Sequence, residues 1–82
     1  MPKSVFSEEY ERFRQLLIKA RKVANLTQTE LSAKLSRPQS YVSKYERGER
    51  RLDLIEFLEV AKALQLNPAV FIERFLSETQ EE

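Results

Sequence analysis

The chain has 82 residues, with 14 Lys and Arg, 13 Asp and Glu, and neither cysteine nor histidine. At that length one small domain spanning residues 1–82 is expected, and no second. The missing Cys and His remove disulfide frameworks, Cys/His zinc sites, thiol nucleophiles and imidazole acid–base chemistry, so no metal, cofactor or enzymatic activity is expected.

No apolar run approaches the roughly 18 residues of a membrane span, and the N-terminus lacks the apolar segment of a signal peptide, so a cytoplasmic protein without membrane association is expected. The net charge of +1 hides a division along the chain. Residues 1–52 carry 12 Lys and Arg against 6 Asp and Glu, a net +6, whereas residues 53–82 carry 2 against 7, a net −5. Such segregation suits one face for a polyanion and another turned away from it or towards a partner.

With one Gly and three Pro in the chain, helical spacing runs nearly unbroken, and five helices are expected. The first is capped by Ser7, with Glu8 and Glu9 at the positive end of its dipole. Its core stripe is Phe6, Tyr10, Phe13, Leu17, Ala20 and Ala24; Glu11, Arg12, Arg14, Lys19 and Lys22 make the opposite face, and Asn25 ends it. Thr27 and Glu30 form a capping box for a short second helix anchored by Leu31 and Leu35.

A third helix is expected over Pro38–Arg47, with Pro38 at its first position and Gly48 as the left-handed stop. Val42 and Tyr45 fit burial, leaving Gln39, Ser40, Tyr41, Ser43 and Lys44 on its surface. Asp53 and Glu56 form a second capping box, starting a fourth helix with a buried stripe of Leu54, Phe57, Leu58, Ala61 and Leu64. Asn67 and Pro68 start the fifth, about residues 68–77. Its Val70, Phe71, Ile72, Phe75 and Leu76 exceed what one contact with helices one and four needs, which makes them candidates for a dimer interface; the alternative is that they pack only within the domain.

Two short helices joined by a tight turn, about residues 27–47, form a helix-turn-helix when they cross steeply. The polar surface of the third helix suits the major groove of double-stranded DNA: Gln pairs bidentately with adenine, Lys donates to guanine, and Ser does either. Arg47, Arg50 and Arg51 follow, placed to neutralise phosphates. The plainer alternative is a solvated helix beside a basic loop.

The segment TQTELSAKLSRPQSYVSKYERGERRLDLIEFLEVAKAL resembles the core of the lambda-repressor/Cro-like, or XRE-type, transcriptional regulators, over about residues 10–76. The resemblance rests on T-Q-x-E-L, S-x-x-V-S-K-Y-E-R-G and L-x-x-x-A-K-A-L in that order. It implies an all-α, five-helix lambda-repressor-like DNA-binding fold and a bacterial or phage source. It further implies a sequence-specific regulator acting as a repressor. One reading helix reaches three or four base pairs, too few to select a site, so a homodimer is expected.

By the same resemblance Gln39, Ser40, Tyr41, Ser43 and Lys44 contact bases, Gln28, Arg47, Arg50 and Arg51 contact phosphates, and Arg21 and Glu46 form a structural ion pair. Ser36 stands where the family commonly has Gly, which asks a non-glycine residue to adopt a left-handed conformation. Pro38 stands where a residue with an N–H is common. A second reading is a protein-interaction module, such as an antitoxin or transcription adaptor, with the acidic C-terminal region facing a protein partner.

Overall fold

The computed structural model describes residues 7–79, with side chains described as far as Ser77. Five helices follow one another: α1 (Glu8–Val23), α2 (Gln28–Lys34), α3 (Tyr41–Glu46), α4 (Leu54–Ala63) and α5 (Pro68–Thr79). None of the described helices is long and apolar enough to cross a membrane.

Local hydrogen bonding starts four of them. Ser7 Oγ accepts from the Tyr10 N–H at 2.9 Å, beside Glu8, Glu9 and Glu11 in the first turn. At α2 the Glu30 N–H donates to Thr27 Oγ1 (3.0 Å) and the Thr27 N–H to Glu30 Oε1 (2.9 Å); Asp53 and Glu56 repeat the box at α4, at 2.8 and 3.0 Å. Asn67 Oδ1 accepts from the Ala69 and Val70 N–H groups at the head of α5. A cap of this kind contributes about 1 kcal/mol.

The first four helices also end alike. Asn25, Ser36, Gly48 and Gln65 have φ of 64°, 56°, 84° and 59°. Each donates its N–H three residues back, and the next residue donates five back: Gly48 to Tyr45 O and Glu49 to Lys44 O at α3, Gln65 to Lys62 O and Leu66 to Ala61 O at α4. This pair of bonds satisfies carbonyls that the helix leaves open. Glycine takes the conformation without penalty; the other three carry a Cβ into it.

The core joins Leu17, Leu31, Val42, Tyr45, Phe57, Val60, Leu64 and Phe71. Phe13 is its aromatic hub, with ring centroids 5.6 Å from Phe57, 6.0 Å from Phe71 and 6.3 Å from Phe75, at edge-on angles. These contacts bring α1, α4 and α5 together, while α2 packs on α3.

Several sequence expectations are corrected. Phe6 lies outside the described residues. Ala24 is exposed because it is the cap of α1, where the chain already turns. Arg14 is not on an open face: its guanidinium donates to the Glu46 carbonyl. The buried stripe of α4 is Phe57, Val60, Ala61 and Leu64, whereas Leu54 is 66% and Leu58 39% exposed. α4 carries apolar residues over more than half its circumference, and packing turns the flank nearer Val60 inward.

The third helix is shorter than expected. Pro38 is not its first residue: the Tyr41 N–H donates to Pro38 O at 2.9 Å, so residues 38–40 form a tight turn, and Ser40 precedes the helix without capping it through its side chain. Ser32, fully buried on α2, takes over that task. Its Oγ accepts from the Val42 N–H (3.2 Å) and donates to Gln39 O (3.3 Å), joining α2 to the head of α3.

Candidate nucleic-acid interface

One buried charge network fixes α3. Arg21 Nε donates to Glu46 Oε2 at 2.8 Å and Arg21 Nη2 to Oε1 at 3.1 Å; Arg21 Nη1 bonds the Leu26 carbonyl at 2.8 Å. Gln28 Nε2 adds a third bond to Glu46 Oε1, at 2.8 Å. Arg21 is in α1, Gln28 opens α2 and Glu46 closes α3, so three helices meet at one carboxylate. Glu46 is 5% and Arg21 9% exposed, and the paired charges satisfy one another's hydrogen bonds, as such depth requires.

Beneath α3, Val42 and Tyr45 are held in the core at 0% and 1% exposure. The Tyr45 hydroxyl is buried with no hydrogen-bond partner among the described residues, and burial pushes its pKa up, so it stays neutral. Above, Gln39, Ser40 and Lys44 are exposed and Ser43 is half-buried, its Oγ accepting from the Arg47 guanidinium. Gln28, Thr29, Gln39, Ser40 and Ser43 line one shallow polar hollow, which brings the head of α2 beside the head of α3.

Tyr41 departs from its expected place. It is 6% exposed, its ring edge-on to Tyr45 at 5.7 Å, with the Arg37 and Arg50 guanidinium groups over it at 4.8 and 5.1 Å. The apolar ring has turned towards the core, and two cations cover what remains, a favourable arrangement for guanidinium and ring alike.

Past α3, Arg47 bonds Glu49 through both Nε and Nη2, each at 3.0 Å. Arg50 spans Glu56 at 3.0 and 2.7 Å. Those bonds, with the Asp53 N–H, hold the Glu56 carboxyl down to about 2 from 4.5. Arg51 lies over the Tyr10 ring at 4.1 Å, and Tyr10 Oη accepts from the Leu52 N–H at 3.1 Å, so this basic loop is tied to α1. Arg37, missed in the sequence, donates to Glu59 at 3.1 Å. Its only local signal was its place before Pro38, because Glu59 is 22 residues away.

The fifth-helix residues divide. Phe71 is a core residue at 7% exposure and Phe75 is half-buried beside Phe13, whereas Val70, Ile72 and Leu76 are 57%, 39% and 48% exposed. Leu54, Ile55 and Leu58 of α4, which packs on α5, are exposed as well. Apart from Val23, these six are all the exposed large apolar side chains among the described residues. No group of carboxylates among the described residues is arranged to hold a metal ion.

Two short helices locked at a fixed angle, the second offering a polar face flanked by arginines, define a helix-turn-helix unit. A helix-turn-helix family model matches residues 17–71. Among solved structures the chain is similar to an XRE-family like protein from Pseudomonas syringae pv. tomato (42% identity, TM-score 0.84, covering 88% of each chain). It is also similar to the restriction-modification controller protein C.Esp1396I (25% identity, TM-score 0.82, covering 94% of this chain and 99% of that one). No curated protein matches the chain significantly. The chain belongs to the XRE-type helix-turn-helix family, whose members are DNA-binding transcriptional regulators.

Proposed function

We propose that this protein is a sequence-specific repressor that reads the major groove with α3 and the turn before it. The observation that carries this is the division of α3: its apolar side chains are all turned inward, while Lys44 on the helix and Gln39 and Ser40 in the turn before it stand exposed, and a buried ion pair holds the helix in place. An α-helix fits the major groove, and a rigid one keeps its donors in register with base edges. Gln39, Ser40, Ser43 and Lys44 read bases. Tyr41 supports them from below rather than reaching a base itself. Gln28, Arg47, Arg50 and Arg51 meet phosphates, Gln28 and Arg50 with the donors that Glu46 and Glu56 leave free.

One α3 reaches three or four base pairs, too few to select a site in a genome, so the working unit is a homodimer on half-sites about one helical turn apart. Ile72 and Leu76, joined by Leu54, Ile55 and Leu58, provide its apolar face, while Val70 lies on the other flank of α5, in a hollow lined also by Ala20 and Val23 of α1. This widens the surface expected from sequence to include α4. Repression follows when the bound dimer covers promoter DNA.

Gel shift tests the reading. Gln39→Ala with Lys44→Ala abolishes site selection, because each lost base contact removes about 1–3 kcal/mol of discrimination. Arg50→Ala with Arg51→Ala weakens binding to all sequences alike and flattens the salt dependence. Operator binding that survives both pairs of changes contradicts the assignment of α3 as the reading helix.

A further inference from the structure

The arginines nearest the proposed reading face are already occupied. Arg47 holds Glu49 through two parallel bonds, Arg50 holds Glu56 the same way, and Arg37 holds Glu59. Two parallel N–H donors are what a guanidinium offers a phosphate, so a carboxylate in that position takes the edge that DNA would use.

The three pairs differ in depth and duty. Glu56 has a side chain only 14% exposed and also caps α4, so its pairing with Arg50 is part of the fold. Glu49 and Glu59 are 55% and 49% exposed, and their carboxylates make no hydrogen bond among the described residues except to Arg47 and Arg37. Nothing in the packing requires them to be acidic. Both arginines are nonetheless positioned by the reading surface: Arg47 also bonds Ser43, and Arg37 covers Tyr41.

We propose that Glu49 and Glu59 are built-in phosphate mimics, which hold Arg47 and Arg37 in the unbound protein and lower its affinity for every DNA sequence. The inference rests on the DNA-binding reading above. Binding becomes an exchange of partners: a phosphate displaces each carboxylate, which returns to water. The Arg47 guanidinium keeps Glu49 below the usual carboxylate range, so that mimic is fully charged at neutral pH.

An exposed ion pair is weak, so each exchange opposes binding by about two- to fivefold. The opposition is the same at an operator and at random DNA, because the same pair is broken at both; the mimics set affinity, not sequence preference.

The test measures affinity for a random-sequence duplex and a selected-site duplex across a salt series, by fluorescence anisotropy. It uses the full chain and the variants Glu49→Gln, Glu59→Gln and both together. Glu73→Gln is the control, since Glu73 is exposed on α5 and has no ion-pair partner among the described residues.

Each mimic variant is expected to bind both duplexes about two- to fivefold more tightly, and the pair together about tenfold. The advantage narrows as salt rises, because salt screens the exposed ion pair that opposes binding in the parent chain. In an Arg47→Gln background, Glu49→Gln has no effect beyond that of Glu73→Gln. The proposal is overturned if Glu49→Gln and Glu59→Gln do no more than the control, or if their effects persist without the partner arginine. A parent chain that binds neither duplex at low salt overturns the DNA-binding reading, and this inference with it.

Discussion

The α2–α3 unit and the α4–α5 face treat their apolar side chains in opposite ways. In α3, Val42, Tyr45 and even Tyr41 are turned inward, and what remains outside is amide, hydroxyl and cation. On α4 and α5 the core takes Phe57, Val60, Ala61, Leu64 and Phe71, yet Leu54, Ile55, Leu58, Val70, Ile72 and Leu76 stay in water. The first surface is finished as it stands and suits a hydrated polyanion. The second is left incomplete and suits another protein surface, which on the proposed reading is a second copy.

Four probes test that contrast, the largest expected effect first. Glu46→Ala strands the Arg21 charge in a buried site and removes the brace of α3, at about 3–5 kcal/mol of stability in denaturant unfolding. A loss below about 1 kcal/mol would mean the network does not hold the reading helix.

Next, adjacent residues of α5 should behave as opposites. Phe71→Ala costs about 3–5 kcal/mol, since it removes an aromatic ring packed on Phe13 and Phe57. Ile72→Ala, at the exposed flank, changes monomer stability by less than about 1 kcal/mol but weakens self-association in sedimentation. Equal losses at both sites would erase the distinction between core and interface.

The third probe is acid. Glu56 titrates at about 2 in the folded chain against 4.5 ordinarily. A depressed carboxyl contributes stability above its unfolded value and loses it as pH falls towards the folded one. Stability therefore drops between about pH 4.5 and 2 through this group, and Glu56→Gln flattens that part of the curve in pH-dependent thermal melts. An unchanged slope would contradict the Arg50–Glu56 pairing.

The smallest effect is at Gln65, whose φ of 59° asks a side chain to sit where glycine fits best. Gln65→Gly raises the unfolding free energy by about 0.5–1 kcal/mol. A loss of stability there would show that the left-handed turn is not a source of strain.

Four of the five helix starts were legible in the sequence because their caps are local; that of α3 was not, because Ser32 of another helix takes over the capping. Ser7, Thr27 with Glu30, Asp53 with Glu56, and Asn67 all act within three residues of themselves. The stop at Gly48 was legible for the same reason, whereas the left-handed Ser36 was expected through the family resemblance. The phase of α4 was not, since apolar residues on both flanks permit two stripes that share Phe57, Ala61 and Leu64, and only packing chooses between them.

Tyr41 was misplaced because a tyrosine on a polar helix suits surface or core alike; its burial depends on Arg37 and Arg50, which lie on either side in sequence. Of the site, the exposed polar residues and the Arg21–Glu46 pair were foreseen, the latter through family resemblance. The carboxylates that hold the arginines were not, because the pairing of Arg37 with Glu59 appears only once α4 is folded beside the turn between α2 and α3.

Selection of bound sites from a random DNA pool tests the central claim most directly. The account predicts a two-fold symmetric site with half-sites about one helical turn apart, enriched by the parent chain and lost with Gln39→Ala and Lys44→Ala. A pool that shows no enrichment, or the same enrichment for parent and variant, would contradict it.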